Sequence, residues 1–306
     1  MPHDHHEHRQ DANRTRLGIA LGLTSSVLLI EVIGSVLTGS LSLLVDAAHM
    51  LTDTAGLAIA LIAAALVRRV PSSRYTWGLR RAEALAAAAQ AIILLAVGVY
   101  ALCEGFMRLL VEPAAVSDPR LLLALGTAGL VANLFALAIL SGGRTANLNM
   151  RAAFLEVAND ALGSIAVIVG ALVILTTGWT GADAIAGMVI AGLILPRAFL
   201  LLRRTTAILM ESSPQGLDLN EVRAHMLAMP HVTGVHDLHA SQIATGLPVL
   251  TAHVVVDDPY IRPVHTHQVL RQLQRCAATH FAVAVEHCTF QIEPGGYVTH
   301  EKQAHA

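Results

Sequence analysis

The sequence predicts an α-helical membrane protein in which six transmembrane helices are followed by a small α+β domain. Of the 306 residues, 54% are hydrophobic and only 14% are charged, whereas soluble globular proteins typically have about 25% charged residues. The mean hydropathy is +0.58. The net charge of −2 indicates no particular class of partner. Composition therefore places the chain among membrane proteins before any motif is considered.

Six apolar segments have the length of about 20 residues that a helix needs to cross a bilayer. They are residues 17–38, 41–67, 84–106, 121–140, 153–177 and 184–202. The first segment follows Arg14 and Arg16, but it is too long for a signal peptide. We therefore expect an uncleaved first helix.

Arginine placement predicts the orientation of these helices. One set of connections holds most of the arginines: Arg9, Arg14, Arg16, Arg68, Arg69, Arg74, Arg80, Arg81, Arg144, Arg151, Arg203 and Arg204. The opposite connections carry only Arg108 and Arg120, beside Glu112 and Asp118. By the positive-inside rule both termini are cytoplasmic, which an even number of spans allows.

After Arg204 the composition becomes that of a soluble domain. Helices are predicted at residues 220–229, with Asp218 as N-cap, and at 265–280. Strands are predicted at residues 232–240, 249–257 and 283–293. The predicted domains are a disordered His-rich tail (1–12), the membrane domain (13–204), the cytosolic α+β domain (205–296) and a flexible tail (297–306).

Four ionisable residues inside the predicted spans form two pairs at helical spacing. His49 and Asp53 lie on the second span, and Glu156 and Asp160 on the fifth. Residues four apart share a helix face, so two such helices facing each other can surround one divalent metal ion. Ionisable groups at membrane depth are costly and mark pathways by default. The sequence therefore predicts a metal transport site, with Asp46 nearby as outer ligand or proton relay.

The same segments resemble the zinc-type branch of the cation diffusion facilitator family. The resemblance rests on residues 39–42 (GSLS), 46–53 (DAAHMLTD), 80–83 (RRAE), 147–151 (NLNMR) and 160–164 (DALGS). It implies a homodimeric zinc exporter of the bacterial inner membrane, driven by proton exchange. It also implies a cytosolic domain of metallochaperone, ferredoxin-like type that regulates and dimerises.

Two departures from that family pattern bear on the metal. The zinc branch usually has histidine where this chain has Glu156, so the set becomes one imidazole and three carboxylates. Oxygen donors soften the preference for zinc, so cadmium and cobalt stay open, as does a broader exporter of manganese or iron. The loop over residues 74–81 holds no ligand, and we expect no metal there.

Four histidines of the cytosolic domain match positions at which the family builds a paired metal site. They are His236, His253, His267 and His287, with His265 as a rival to His267. Thr289 stands where some members have a bridging aspartate, and Cys288 or Asp237 is the candidate substitute. The alternative is that these are ordinary surface histidines.

Rival functions are an intramembrane metalloprotease, a passive channel and a membrane metal sensor that transports nothing. The protease would need an HExxH-type motif, which the sequence lacks. A channel would not need four clustered ligands, which bind too tightly for fast conduction. A sensor would explain the cytosolic histidines but not the intramembrane quartet. We therefore expect a transporter whose partners are divalent metals, protons, lipid and a second copy of the chain, without enzymatic activity or a nucleic-acid partner.

Overall fold

The structure is a computed structural model, and it describes residues 4–67, 72–111, 116–142, 148–257 and 263–295. Some side chains within the helices are not described, and that of Asp53 is among them. The chain forms two compact units. The first comprises Met1–Leu61 and Ala87–Leu202, and the second comprises Ile62–Ala86 and Arg203–Ala306.

Six long helices account for the predicted spans. They are α1 (Asp4–Thr38), α2 (Leu41–Val67), α3 (Ala82–Leu110), α4 (Pro119–Ser141), α5 (Leu148–Thr177) and α6 (Gly181–Leu209). Because α1 begins at Asp4, residues 4–12 are helical, and the prediction of a disordered tail is wrong for them. These polar residues extend the apolar first span by continuing its backbone hydrogen bonding.

The described residues contain five helices that are long and apolar enough to cross a membrane. They are Gly18–Thr38, Ala82–Leu110, Pro119–Ser141, Ala153–Thr177 and Gly181–Leu209. Helix α2 is represented in that search by its apolar part Leu41–Thr52. The fold is thus the predicted helical membrane domain, and the 27-residue helix α2 coincides with the remaining predicted span, residues 41–67.

Apolar side chains from α2 to α6 form the core of the first unit. Leu41, Leu94, Leu122, Val167 and Ile190, one from each of these helices, are at most 4% exposed. Many outward-facing leucines, isoleucines and valines of the same helices are exposed. Exposing this apolar surface to water would be unfavourable, whereas contact with the apolar lipid tails of a bilayer would not.

The second unit contains a three-stranded sheet with two helices. Its elements are α7 (Leu219–Leu227), β1 (Val232–Ala244), β2 (Leu247–Val256), α8 (Pro263–Thr279) and β3 (His287–Pro294). Strand β1 pairs antiparallel with β2, and β2 pairs parallel with β3, so the order is β1-β2-β3. A parallel pair requires a crossover connection, and α8 lies within it.

The sheet has one apolar face and one polar face. Leu250, Ala252 and Val254 of β2 are buried in a core with Met226 of α7 and Leu273 of α8. Side chains alternate between the faces of a sheet, so His253 projects from the opposite face. The predicted α+β domain, packed on one face of its sheet, is confirmed.

One local prediction from the sequence is confirmed, and another differs from the structure. Asp218 caps α7 as predicted, and its carboxylate accepts a hydrogen bond from the backbone N–H of Asn220. Strand β3 begins at His287 rather than at residue 283. The reason is that the Val285 N–H donates to the carbonyl of Ala277, which holds residues before β3 against the end of α8.

Candidate metal centres

His49 of α2 and Asp160 of α5 meet inside the membrane unit. The Nε2 atom of His49 lies 3.8 Å from Oδ1 of Asp160. The two residues are 5% and 3% exposed, respectively. A buried imidazole beside a buried carboxylate offers a nitrogen and an oxygen donor to one cation. The structure therefore brings together one residue from each of the two predicted pairs.

Glu156 lies one turn before Asp160 on α5 and has a cationic neighbour. Its Oε1 atom is 3.2 Å from Nη2 of Arg197 on α6. The pair is 41 residues apart in the sequence, and sequence reasoning missed Arg197. The signal that could have found it was present, because an arginine inside an apolar span is as unusual as an acid there.

Asp53 completes the predicted quartet, but its side chain lies outside the described part of the structure. Its backbone belongs to α2, one turn after His49. The assignment of Asp53 as a ligand therefore stays a prediction from spacing. Thr52, beside it, uses its hydroxyl to donate to the carbonyl of His49.

Asp46 packs directly against helix α5. A Cβ added at Gly163 would lie 2.7 Å from Oδ1 of Asp46, so only glycine permits this approach. Asp46 is 2% exposed, and its Oδ2 atom has no hydrogen-bond partner among the described residues. This position, one turn before His49 and against the turn that follows Asp160, suits the predicted role of proton relay.

Glu31 of α1 is a further buried carboxylate close to these residues. It is 1% exposed and interacts electrostatically with Asp46 and Asp160. Its Oε2 atom has no hydrogen-bond partner in the described part of the chain. A purely structural role does not explain that buried atom.

The amino end of α2, which leads to His49, is fixed by a residue that the sequence analysis did not single out. Asp183 of α6 accepts hydrogen bonds from the hydroxyls of Ser40 and Ser42 at 2.5 Å each. It also accepts from the backbone N–H groups of Leu41 at 2.6 Å and Ser42 at 3.3 Å. A carboxylate at a helix amino end satisfies its open N–H groups and interacts favourably with the helix dipole.

The glycine of the same motif, Gly39, provides the turn between α1 and α2. It ends α1 with a φ of +66°, a conformation that glycine adopts without steric cost. Its N–H donates to the carbonyl of Ser35, and its own carbonyl accepts from Arg108. The motif GSLS is therefore the turn and cap that set where α2 begins.

A second cluster lies on the polar face of the sheet in the other unit. His236 of β1 and His253 of β2 are directly paired across the strands. Glu293 of β3 lies 3.0 Å from Nε2 of His236 and 2.9 Å from Nδ1 of His253. The ligand atoms of the three residues lie within 4.8 Å of one another. Two imidazoles and a carboxylate are a donor set suited to zinc and similar ions.

Glu293 was missed by the sequence analysis, although the two histidines were predicted. It is 2% exposed despite its charge. Gln291 donates to its Oε1 atom at 2.8 Å. A buried carboxylate is normally paired, and here the partners are the two histidines. Glu293 lies 57 residues after His236, so no local spacing could have connected them.

The other predicted cytosolic ligands lie outside this three-residue group. His267 is exposed on α8. The ring of His287 makes an edge-to-face contact with Trp77 at 4.8 Å between centroids. Both histidines stay predicted ligands, and neither is part of the cluster that the single chain forms.

The two suggested substitutes for a bridging acid have different surroundings. Cys288 packs against the apolar core, and its thiol donates to the carbonyl of Val285. Burial raises the pKa of this thiol to about 11, which disfavours the thiolate that binds metal. Asp237 is the better placed of the two candidates for a bridging acid. It occupies a bulge of β1 with a φ of +47°, and its Oδ2 lies 3.7 Å from His253 Nε2.

These features define an integral membrane protein that has a histidine-carboxylate centre in each of its two units. The chain belongs to the cation efflux family: residues 17–210 match the cation efflux transmembrane domain, and residues 214–295 match the cytoplasmic domain of cation efflux proteins. The second of these matches covers the sheet that carries His236, His253 and Glu293.

Its relatives are transporters. It is 41% identical to the metal cation efflux system protein CzcD of Cupriavidus metallidurans, over 95% of this chain and 89% of the relative. It is 39% identical to the zinc transporter ZitB of Escherichia coli, over 93% and 88%. It is 34% identical to the cadmium, cobalt and zinc/H(+)-K(+) antiporter of Bacillus subtilis, over 92% and 91%. The protein is therefore a transporter and not an enzyme, as the sequence predicted.

Proposed function

We propose that this protein exports divalent metal ions from the cytosol, with zinc as its main substrate and cadmium and cobalt as further substrates. The observation that carries the proposal is the buried pair of His49 and Asp160, which face each other from α2 and α5 at 3.8 Å. The names of the three relatives, which are a cation efflux protein, a zinc transporter and a cadmium, cobalt and zinc antiporter, support the same substrates.

The proposed transport site consists of His49, Asp53, Glu156 and Asp160. Zinc commonly binds four ligands in a tetrahedron, and these residues supply one donor each from two helices. One nitrogen and three oxygen donors discriminate less strongly against hard ions than a set with more histidine. A broader exporter of manganese and iron is the alternative that a comparison of metals would decide.

We infer that protons move in the opposite direction to the metal. A ligand must be deprotonated to bind metal, so protons and metal compete for the same atoms. Asp46, packed against Gly163 between the two ligand helices, is the proposed relay. Exchange follows if the site opens alternately to the two sides of the membrane. The word antiporter in the name of the Bacillus subtilis relative supports this inference.

We propose that the second unit binds a regulatory metal ion through His236, His253 and Glu293. His267 and His287 stay candidate ligands of the same domain. The match to the cytoplasmic domain of cation efflux proteins supports a homodimer that assembles through this unit. The bacterial relatives support a location in the bacterial inner membrane, and the arginine distribution supports an orientation with both termini in the cytoplasm.

The transport proposal is tested by zinc flux into proteoliposomes that contain the purified protein. We expect Asp160→Ala and His49→Ala each to remove most of the flux, because each deletes a buried donor of the site. Asp118→Ala, which removes an exposed acid at the start of α4, is the matched control and should retain it. Unchanged zinc flux in a correctly inserted Asp160→Ala protein would contradict the proposed site.

A further inference from the structure

Arg197 is a permanent cation within the apolar helix α6. The helix spans Gly181–Leu209 and also contains Pro196, which removes one backbone hydrogen bond immediately before the arginine. A guanidinium stays protonated at any physiological pH. A charge placed within a membrane span is costly and usually faces a partner or a pathway.

The partner of Arg197 is a proposed transport ligand. Its Nη2 atom lies 3.2 Å from Oε1 of Glu156, and its charge also acts on His49. The side chains of Arg197 and Glu156 are 46% and 35% exposed in the protein alone. The ion pair is therefore not sealed among other side chains, and either group has room to move.

The formal charges explain why a cation belongs at this position. Asp53, Glu156 and Asp160 together carry three negative charges when ionised, beside a neutral His49. One guanidinium reduces the net charge to −2, which a single divalent metal ion neutralises. The metal ion and the guanidinium are both cations that bind carboxylate oxygens, so a metal ion that takes Oε1 of Glu156 as its ligand competes with Arg197 for that oxygen. The metal is also repelled by the positive charge of Arg197 as it approaches.

We propose that Arg197 is a tethered competitor of the metal: it holds Glu156 while the transport site is empty, and it must release Glu156 when a divalent cation binds. This inference rests on the proposed function, in which Glu156 is a ligand. Arg197 thereby lowers the affinity of a site that its three carboxylates would otherwise make very tight. Weaker binding favours release of the metal, so Arg197 acts as a positioning residue for Glu156.

The test is the zinc affinity of the transport site in the purified full-length protein, measured by titration in detergent at fixed pH. His236→Ala and His253→Ala are present in every variant, so that the second centre does not contribute. Arg197→Gln and Arg197→Met remove the charge, and we expect both to bind zinc at least about tenfold more tightly. Arg197→Lys keeps the charge and should stay within about threefold of the wild type. Arg203→Gln, the same change on the same helix outside the site, is the matched control.

The sign of the change separates competition from a structural role. If Arg197 merely supports the helix packing, its neutral variants bind zinc more weakly or equally well, and either result overturns the proposal. We also expect slower zinc flux at saturating zinc in Arg197→Gln, because tighter binding delays release. In a Glu156→Gln background, replacing Arg197 should alter the zinc affinity much less, because the carboxylate for which Arg197 and the metal compete is absent.

Asp160→Ala distinguishes a failure of this proposal from a failure of the proposed function. Loss of zinc binding in Asp160→Ala together with unchanged binding in Arg197→Gln would keep the transport site and reject the competitor. Unchanged binding in Asp160→Ala would reject the site itself and, with it, the role of Arg197. Thermal unfolding and size-exclusion profiles of each variant show whether a changed affinity belongs to folded protein.

Discussion

Arg197 and Glu293 show what a single residue contributes to each of the two centres. Each is charged, and each lies beside a ligand that the sequence analysis had identified. Arg197 adds a positive charge to an acidic site, while Glu293 adds a negative charge to a pair of histidines. In both cases the added residue brings the charge of the centre closer to what one divalent cation requires.

At the residue scale, Glu293→Gln should weaken metal binding in the second unit. The amide has the shape of the carboxylate but lacks its charge, and neutral amides are poorer zinc ligands. We expect zinc affinity to fall at least about tenfold, measured in the Asp160→Ala background so that the membrane site does not contribute. Glu286→Gln, an exposed glutamate nearby, is the matched control. Equal affinity in the Glu293→Gln and Glu286→Gln proteins would remove Glu293 from the site.

At the scale of elements, the position of α2 decides where His49 lies. The helix receives its amino cap from Asp183, which is more than 140 residues away in the sequence and belongs to α6. By contrast, α4 receives its cap locally from Asp118, whose carboxylate accepts from the N–H groups of Arg120 and Leu121. The distant cap ties the start of α2 to α6, so it fixes the ligand helix within the bundle.

Asp183→Asn should therefore destabilise the protein more than Asp118→Asn. An amide has one acceptor oxygen, and its NH₂ group would face the donors of Ser40, Leu41 and Ser42. We expect a loss of about 2–4 kcal/mol from these buried donors, seen as an unfolding midpoint lower by about 5–10 °C. Asp118→Asn should change little, since asparagine is an equally good cap at an exposed position. Similar thermal midpoints for the two variants would show that the distant cap contributes no more than the local one.

At the scale of the whole molecule, the features that the sequence predicts correctly are those that depend on local periodicity. Segment lengths gave the membrane helices, alternation gave the strands of the second unit, and spacing of four placed His49 with Asp53 on one face. The polar partners Arg197, Asp183 and Glu293 lie on other elements, 40 to 143 residues from the groups that they bind. A single sequence holds no record of which distant elements pack together, so these partners required the structure.

The proposed proton coupling involves the whole transport cycle, and it predicts that zinc affinity depends on pH. Protons occupy the imidazole and carboxylates as the pH falls, so each proton that zinc must displace weakens binding by about tenfold per pH unit in the titrating range. We expect the dissociation constant to rise as the pH is lowered from about 7.5 to about 5.5, a window that contains the ordinary pKa of histidine. The measurement is a zinc titration across that window of the purified protein carrying His236→Ala and His253→Ala, so that only the transport site contributes.

The same coupling predicts that an imposed pH gradient drives zinc flux in proteoliposomes. Flux should increase when protons are more concentrated on the side to which zinc is released, because protonation of the emptied ligands completes the exchange. Collapsing the gradient with a proton ionophore should remove this increase, and the Asp160→Ala protein should show none. An affinity that is constant across the pH window would reject competition at this site. Flux that ignores the gradient would reject antiport, and the protein would then be a carrier that moves metal only down its own gradient.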